Sequence, residues 1–153
     1  MRRAYALSEE EFCRAEAELE LAVLLGLIGQ AGFEALEQRR LQKNEENCRK
    51  EAAGEVFYGP CSFTRPMYLQ YELTRFRLEF ALPSRTVRDS GYCPEITEAQ
   101  KRAFYQENQD LFTRAQGDLF SYEEIEAVIE KRLREAAYDR LVQDILCQSE
   151  TRE

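Results

Sequence analysis

Apolar residues recur every three or four positions over most of this chain, a period that predicts helices. From Ser8 onward, Phe12, Ala15, Leu19, Ala22, Val23 and Leu27 share one face. The face widens at Leu24, Leu25 and Ile28, so that end of the helix needs cover on more than one side. Ser8 and Glu11 have the spacing of a capping box, in which the hydroxyl accepts a first-turn N–H and the carboxylate reaches back. Gly29 and Gly32 are the expected stop. A second helix, Phe33 to Ala53, is far more polar, with Phe33, Leu36 and Leu41 as its apolar positions. Its Lys43 to Lys50 portion reads as a solvated face carrying ion pairs such as Glu46 with Lys50. The other reading of that stretch, a basic arm for an anionic ligand, is weakened by Glu45, Glu46 and Glu51 among the basic residues.

After Gly54 the period breaks. Glu55 to Tyr58 reads as extended, held between Gly54 and Gly59-Pro60. The next segment carries both periods. Phe76, Leu78, Phe80 and Leu82 alternate as a strand would, whereas Leu69, Leu73, Phe76 and Phe80 step as a helix would, widened by Tyr71, Leu78 and Leu82. Thr64 before Arg65-Pro66 decides for a helix from about Arg65 to Leu82, because proline in a first turn sacrifices no hydrogen bond. Residues 83–94 read as an internal loop. Thr97 with Gln100 opens a short helix whose inward positions are Ala99, Ala103, Phe104 and Tyr105. Ser121 with Glu124 opens a long final helix striped by Ile125, Val128, Ile129, Leu133, Ala136, Ala137, Leu141, Val142 and Ile145. Its last few residues are expected to fray. The pattern predicts one all-α domain, 1–153, of about five helices with a short extended segment near residues 55–59.

Composition narrows the chemistry. The 153 residues carry a formal net charge of −8 and no histidine. An acidic surface without a basic patch argues against nucleic acid as a partner. Lack of histidine removes Ser-His and Cys-His nucleophile pairs and the common zinc sites. The five cysteines (Cys13, Cys48, Cys61, Cys93 and Cys147) form no CxxC pair, so reduced thiols are expected and neither a metal nor a cofactor is implied. Met1-Arg2-Arg3 leads into Ser8-Glu9-Glu10-Glu11 without an apolar stretch. Leu19 to Ile28 carries Glu20 and is too short to span a bilayer. The expectation is a cytoplasmic protein with no membrane partner.

The aromatic residues concentrate in one span. Phe57, Tyr58, Phe63, Tyr68, Tyr71, Phe76 and Phe80 all lie between Gly54 and Leu82, and the core is expected to assemble against them. The same series could line a groove for an apolar peptide, with Phe57, Tyr58, Phe63, Tyr68, Tyr71 and Phe76 as the binding residues. A different chemistry is also open. Tyr58, Tyr68, Tyr71, Glu72, Arg75 and Arg77 are close in sequence, and an arginine beside a tyrosine lowers its pKa and can hold a carboxylate. That would suit a small lyase or isomerase working without histidine, with Tyr58, Tyr71 and Arg75 as its catalytic groups. The plain reading of those tyrosines is half-buried core with hydroxyls at the surface. Cys61, on a turn just ahead of a helix, is the thiol best placed for reactivity, against the plain reading of an inert loop thiol.

Two blocks near the C-terminal end resemble a known family. Ile96-Thr97-Glu98-Ala99-Gln100-Lys101-Arg102-Ala103-Phe104-Tyr105-Gln106-Glu107-Asn108-Gln109-Asp110-Leu111-Phe112 is similar to the acidic helix leading out of the N-terminal domain in SurA/PrsA-like parvulin foldases. Phe120-Ser121-Tyr122-Glu123-Glu124-Ile125 through Lys131-Arg132-Leu133 is similar to the helix by which that family returns to the same domain. Only Thr113 to Leu119 separates the two blocks, which leaves no room for a parvulin domain. The resemblance therefore implies a helical chaperone-type module without prolyl isomerase activity. It would bind a peptide or protein partner, which weighs against an enzyme without closing the lyase or isomerase reading, with a homo-oligomer or an oligomeric accessory subunit as further readings.

Overall fold

Each helix in the computed structural model, which describes residues 2–115 and 117–150, begins or ends on an identifiable local signal. A 3-10 turn at Arg2–Tyr5 precedes α1 (Glu9–Leu24). Both halves of the Ser8–Glu11 capping box are made, with Ser8 N–H donating to the Glu11 carboxylate at 2.8 Å. α1 stops earlier than Gly29. Gly26 takes φ 71°, Gly26 N–H donates to Val23 and Leu27 N–H to Ala22, both at 2.9 Å. This left-handed close satisfies carbonyls that the helix end would otherwise strand. It also turns Leu25 and Ile28 into the core, while Leu24, expected on the same widened arc, is exposed.

α2 (Phe33–Ala52) ends the same way at Gly54, with Glu55 N–H donating to Lys50. Leu41, an expected apolar contact, is exposed, and Asn47 is buried instead. Residues 55–62 follow as an irregular connection; the extended stretch near 55–59 joins no strand, and the β-pairing among the described residues is an isolated bridge between Thr113 and Leu119. α3 (Arg65–Ala81) starts after Thr64 with proline in its first turn. The expected 83–94 loop contains a short helix, α4 (Arg85–Asp89), whose Val87 is fully buried. α5 (Glu98–Glu107) carries the complete Thr97–Gln100 capping box. Its alanines Ala99 and Ala103 face solvent, while Lys101 is buried and paired with Glu98 and Glu126. A 3-10 turn at Gln109–Phe112 leads to α6 (Tyr122–Glu150).

α6 packs against α1, α3 and α5. Leu21, Leu25, Phe80, Val87, Tyr138 and Val142 form one buried cluster, and Leu19, Ala22, Ile28 and Phe76 a second beside it. A third, built from Tyr5, Phe33, Leu36, Phe63, Tyr68 and Leu69, joins the N-terminal turn to α2 and α3. The fourth, Phe112, Tyr122, Ile125 and Ile129, fixes α5 to the start of α6. On α6, Val128 and Ala136 are exposed and Tyr138 occupies the centre. The domain is all-α. The residues expected to fray at the C-terminal end lie outside those described. No helix among the described residues is long and apolar enough to cross a membrane.

Candidate functional site

α3 sorts its side chains onto opposite faces. Leu69, Phe76 and Phe80 are buried against the other helices, whereas Met67, Tyr71 and Leu78 are exposed. Steps of four and seven residues bring those three to one side of the helix. Tyr71 and Leu78 thus do not widen the core stripe, as the sequence pattern suggested; they form a second stripe facing away from it. Pro60, Phe63 and Pro66 close one end, and together they line an apolar groove of about 830 Å³. Gln70, Thr74 and the Arg75–Glu79 ion pair (3.2 Å) supply its polar margin.

The connection between α2 and α3 feeds this groove. Asn44 treats Phe63 as a strand neighbour would: Phe63 N–H donates to its Oδ1 at 2.7 Å, and its Nδ2 donates to the Phe63 carbonyl at 3.1 Å. Asn47 Nδ2 donates to the Pro60 carbonyl at 3.0 Å, and Arg40 also donates to Phe63. The two amides, one helical turn apart on α2, hold the end of the loop while its tip projects. Val56 is 87% exposed and Tyr58 97% exposed. Neither amide figured among the sequence-based candidates. The i, i+3 asparagine spacing in an otherwise charged stretch was the available signal.

A polar cluster lies on another side of α3. The buried Glu72 carboxylate accepts from Arg39 Nε (2.9 Å), Arg75 (3.1 Å) and the Tyr68 hydroxyl (3.3 Å). Burial, then the Glu72 charge, push the Tyr68 hydroxyl well above the usual tyrosine range. That is the opposite of the activated tyrosine that lyase chemistry asks for. Of the proposed catalytic groups, Tyr58 stands in solvent on the loop, Tyr71 gives its ring to the groove and Arg75 is held by Glu72 and Glu79. Arg77 points elsewhere, donating to both oxygens of Asp139 at 2.7 Å, and Arg14 donates to the same carboxylate. These hydrogen bonds hold the Asp139 carboxyl below the usual range.

The proposed peptide-binding residues divide similarly. Phe76 is fully buried and Tyr68 nearly so; Phe63 is buried but one edge lines the groove, and Tyr71 and Tyr58 are open to solvent. Phe57 is half-buried. Cys61 is exposed, but its thiol donates to Glu51 at 3.3 Å, and that carboxylate pushes its pKa up, away from reactivity. The sequence-based candidates omitted Pro60, Met67 and Leu78 from the groove and Val56 from the loop tip.

No protein-family model matches the sequence, and no curated protein matches it. Two solved structures do match: the GH136 lacto-N-biosidase from Eubacterium ramulus, as the native protein and as a selenomethionine derivative. To the native protein the chain has 31% sequence identity over 88% of its length, with a TM-score of 0.72. To the derivative it has 30% identity over 91%, with a TM-score of 0.73. The similarity is to part of a glycoside hydrolase. The chain spans 27–28% of those structures. This likeness, in sequence and fold together, overturns the resemblance to SurA/PrsA-like foldases and the chaperone-type peptide-binding module inferred from it. The two blocks that suggested it are α5 and the opening of α6. Their shared features are helix-capping and helix-forming residues, which report a local conformation and not a family.

Proposed function

We propose that this chain is the helical component of a glycoside hydrolase of the lacto-N-biosidase type, a unit that packs against the polypeptide carrying the hydrolytic site. The observation behind this reading is the size relation: nearly the whole chain matches, and it accounts for 27–28% of the enzyme it matches. The carboxylates support it. Glycoside hydrolysis generally needs two carboxyl groups flanking one bond, one of them able to give up a proton near neutral pH. Several of the carboxylates that line concavities here are committed elsewhere. Glu79 is paired with Arg75. Glu11 caps α1, and Glu18 is bonded to Arg14 and Tyr138. Glu37 is clamped by Arg40 and Arg65, which hold its pKa at about 2. Such a group stays ionised and cannot act as a general acid.

The reading is tested by replacing the matched segment of the E. ramulus enzyme with this chain and following hydrolysis of a chromogenic lacto-N-bioside. The chain alone is expected to release nothing and the chimera to hydrolyse the substrate. An inert chimera beside an active parent enzyme, or hydrolysis by the chain alone, would sink the proposal.

A further inference from the structure

We propose that the 56–58 loop tip and the outward groove of α3 form one docking surface, and that its occupant is the remaining part of the hydrolase. The inference rests on the functional reading above and says which face meets the partner. Three observations converge on this face. First, among the described residues Val56 and Tyr58 are the two most exposed large apolar side chains, at 87% and 97%. Aromatic residues on a free surface are the kind that anchor interfaces once covered. Second, tip and groove are structurally continuous. Pro60 and Phe63 line the groove, and the Asn47 and Asn44 amides pin those same residues to α2. The tip is therefore presented beside the groove from a fixed base. Third, the groove is electrically quiet on an acidic protein. The whole chain carries a net charge of −8, yet the one carboxylate at the groove margin, Glu79, is neutralised by Arg75. A partner can cover it without burying an unpaired charge.

The choice of occupant follows from the likeness. In the matching enzyme the part that resembles this chain shares its polypeptide with nearly three times its own length of further sequence, which makes that polypeptide the natural counterpart for an open apolar face. The inner face of α3 is already sealed by α1 and α6. The outer face is open, apolar and large enough to take several side chains. The partner chemistry it fits is an apolar ridge that enters beside Tyr71 and Leu78, with a recess for Tyr58.

Hydroxyl-radical footprinting with mass spectrometry tests the surface on the full chain and on the chimera described above. Tyr58, Met67 and Tyr71 are expected to react readily in the isolated chain. In the chimera they should be modified about tenfold more slowly, as expected for side chains from which a packed interface excludes water. An active chimera in which the three residues stay as reactive as in the isolated chain would overturn the surface and leave the functional reading standing. An inert chimera in which they are protected would do the reverse, and an inert chimera with all three reactive would remove both. Light scattering on the isolated chain covers the remaining case. A dimer in which these residues are already protected would make a second copy the occupant and overturn the proposal. As a second check, Tyr58→Ser combined with Leu78→Ser should leave the isolated chain folded while shortening the lifetime of chimera activity on warming.

Discussion

The two faces of α3 carry similar side chains and have opposite fates. Phe76 and Phe80 on the inner face are fully buried between α1 and α6. Met67, Tyr71 and Leu78 on the outer face are as apolar but line an open groove. The difference lies in what the rest of the chain supplies. α1 and α6 bring Leu19, Leu21, Tyr138 and Val142 to the inner face, while the groove on the outer one is lined, apart from α3 itself, by Pro60 and Phe63. Hydrophobicity alone thus does not place a residue in the core. A helix striped on two sides reports a core and, separately, a surface that lacks its counterpart.

The sharpest test of this contrast is truncation on the inner face. Phe76→Ala should cost about 3–5 kcal/mol in chemical denaturation, because a buried ring is lost and its cavity cannot fully collapse. A cost below about 1 kcal/mol would mean that the inner face is no better packed than the outer. A smaller effect is expected from acid. The Glu37 pKa is depressed to about 2, chiefly by hydrogen bonds from Arg40 and Arg65. Its contribution is present above the unfolded pKa of about 4.5 and is lost as pH falls towards 2. Linkage sets an upper bound of about 3 kcal/mol, which solvent screening of this surface cluster reduces to on the order of 2 kcal/mol. Glu37→Gln should remove that part of the acid dependence, measured as denaturation midpoints from pH 5 to pH 2.5. The smallest effect belongs to the outer face. Tyr71→Ser should change the stability of the isolated chain by no more than about 0.5 kcal/mol, as for a surface position. A loss comparable to that of Phe76→Ala would erase the distinction between the two faces.

Much of this architecture was legible because it is encoded locally. Ser8 with Glu11, Thr97 with Gln100, and Thr64 ahead of Pro66 mark helix starts within four residues. α4 escaped because five residues are too few to show a period, and its single buried side chain, Val87, carries no pattern. Tyr138 was absent from the α6 stripe because its hydroxyl counts as polar; in three dimensions Glu18 accepts from it at 3.2 Å, which permits full burial. The same applies to Glu72, Asn47 and Lys101. Each has at least one partner distant in sequence, Arg39 for Glu72, the Pro60 carbonyl for Asn47 and Glu126 for Lys101, and no local window contains that partner. The aromatic span correctly marked where the core and the candidate surface meet. Which rings belonged to which depended on how α1 and α6 close over one side of α3. The family assignment failed for a related reason: helix-forming residues and capping boxes recur in unrelated proteins.

The asparagine pair on α2 has a consequence for how proteins with this scaffold diverge. Because Asn44 and Asn47 anchor Phe63 and Pro60, the tip between Gly54 and Gly59 is insulated from the packing beneath it. Lengthening such a loop is cheap, about 0.6 kcal/mol for each doubling. Insertions and substitutions there should accumulate without penalty to the helices. The tip is where one lineage can be retuned to its own counterpart while the bundle stays constant.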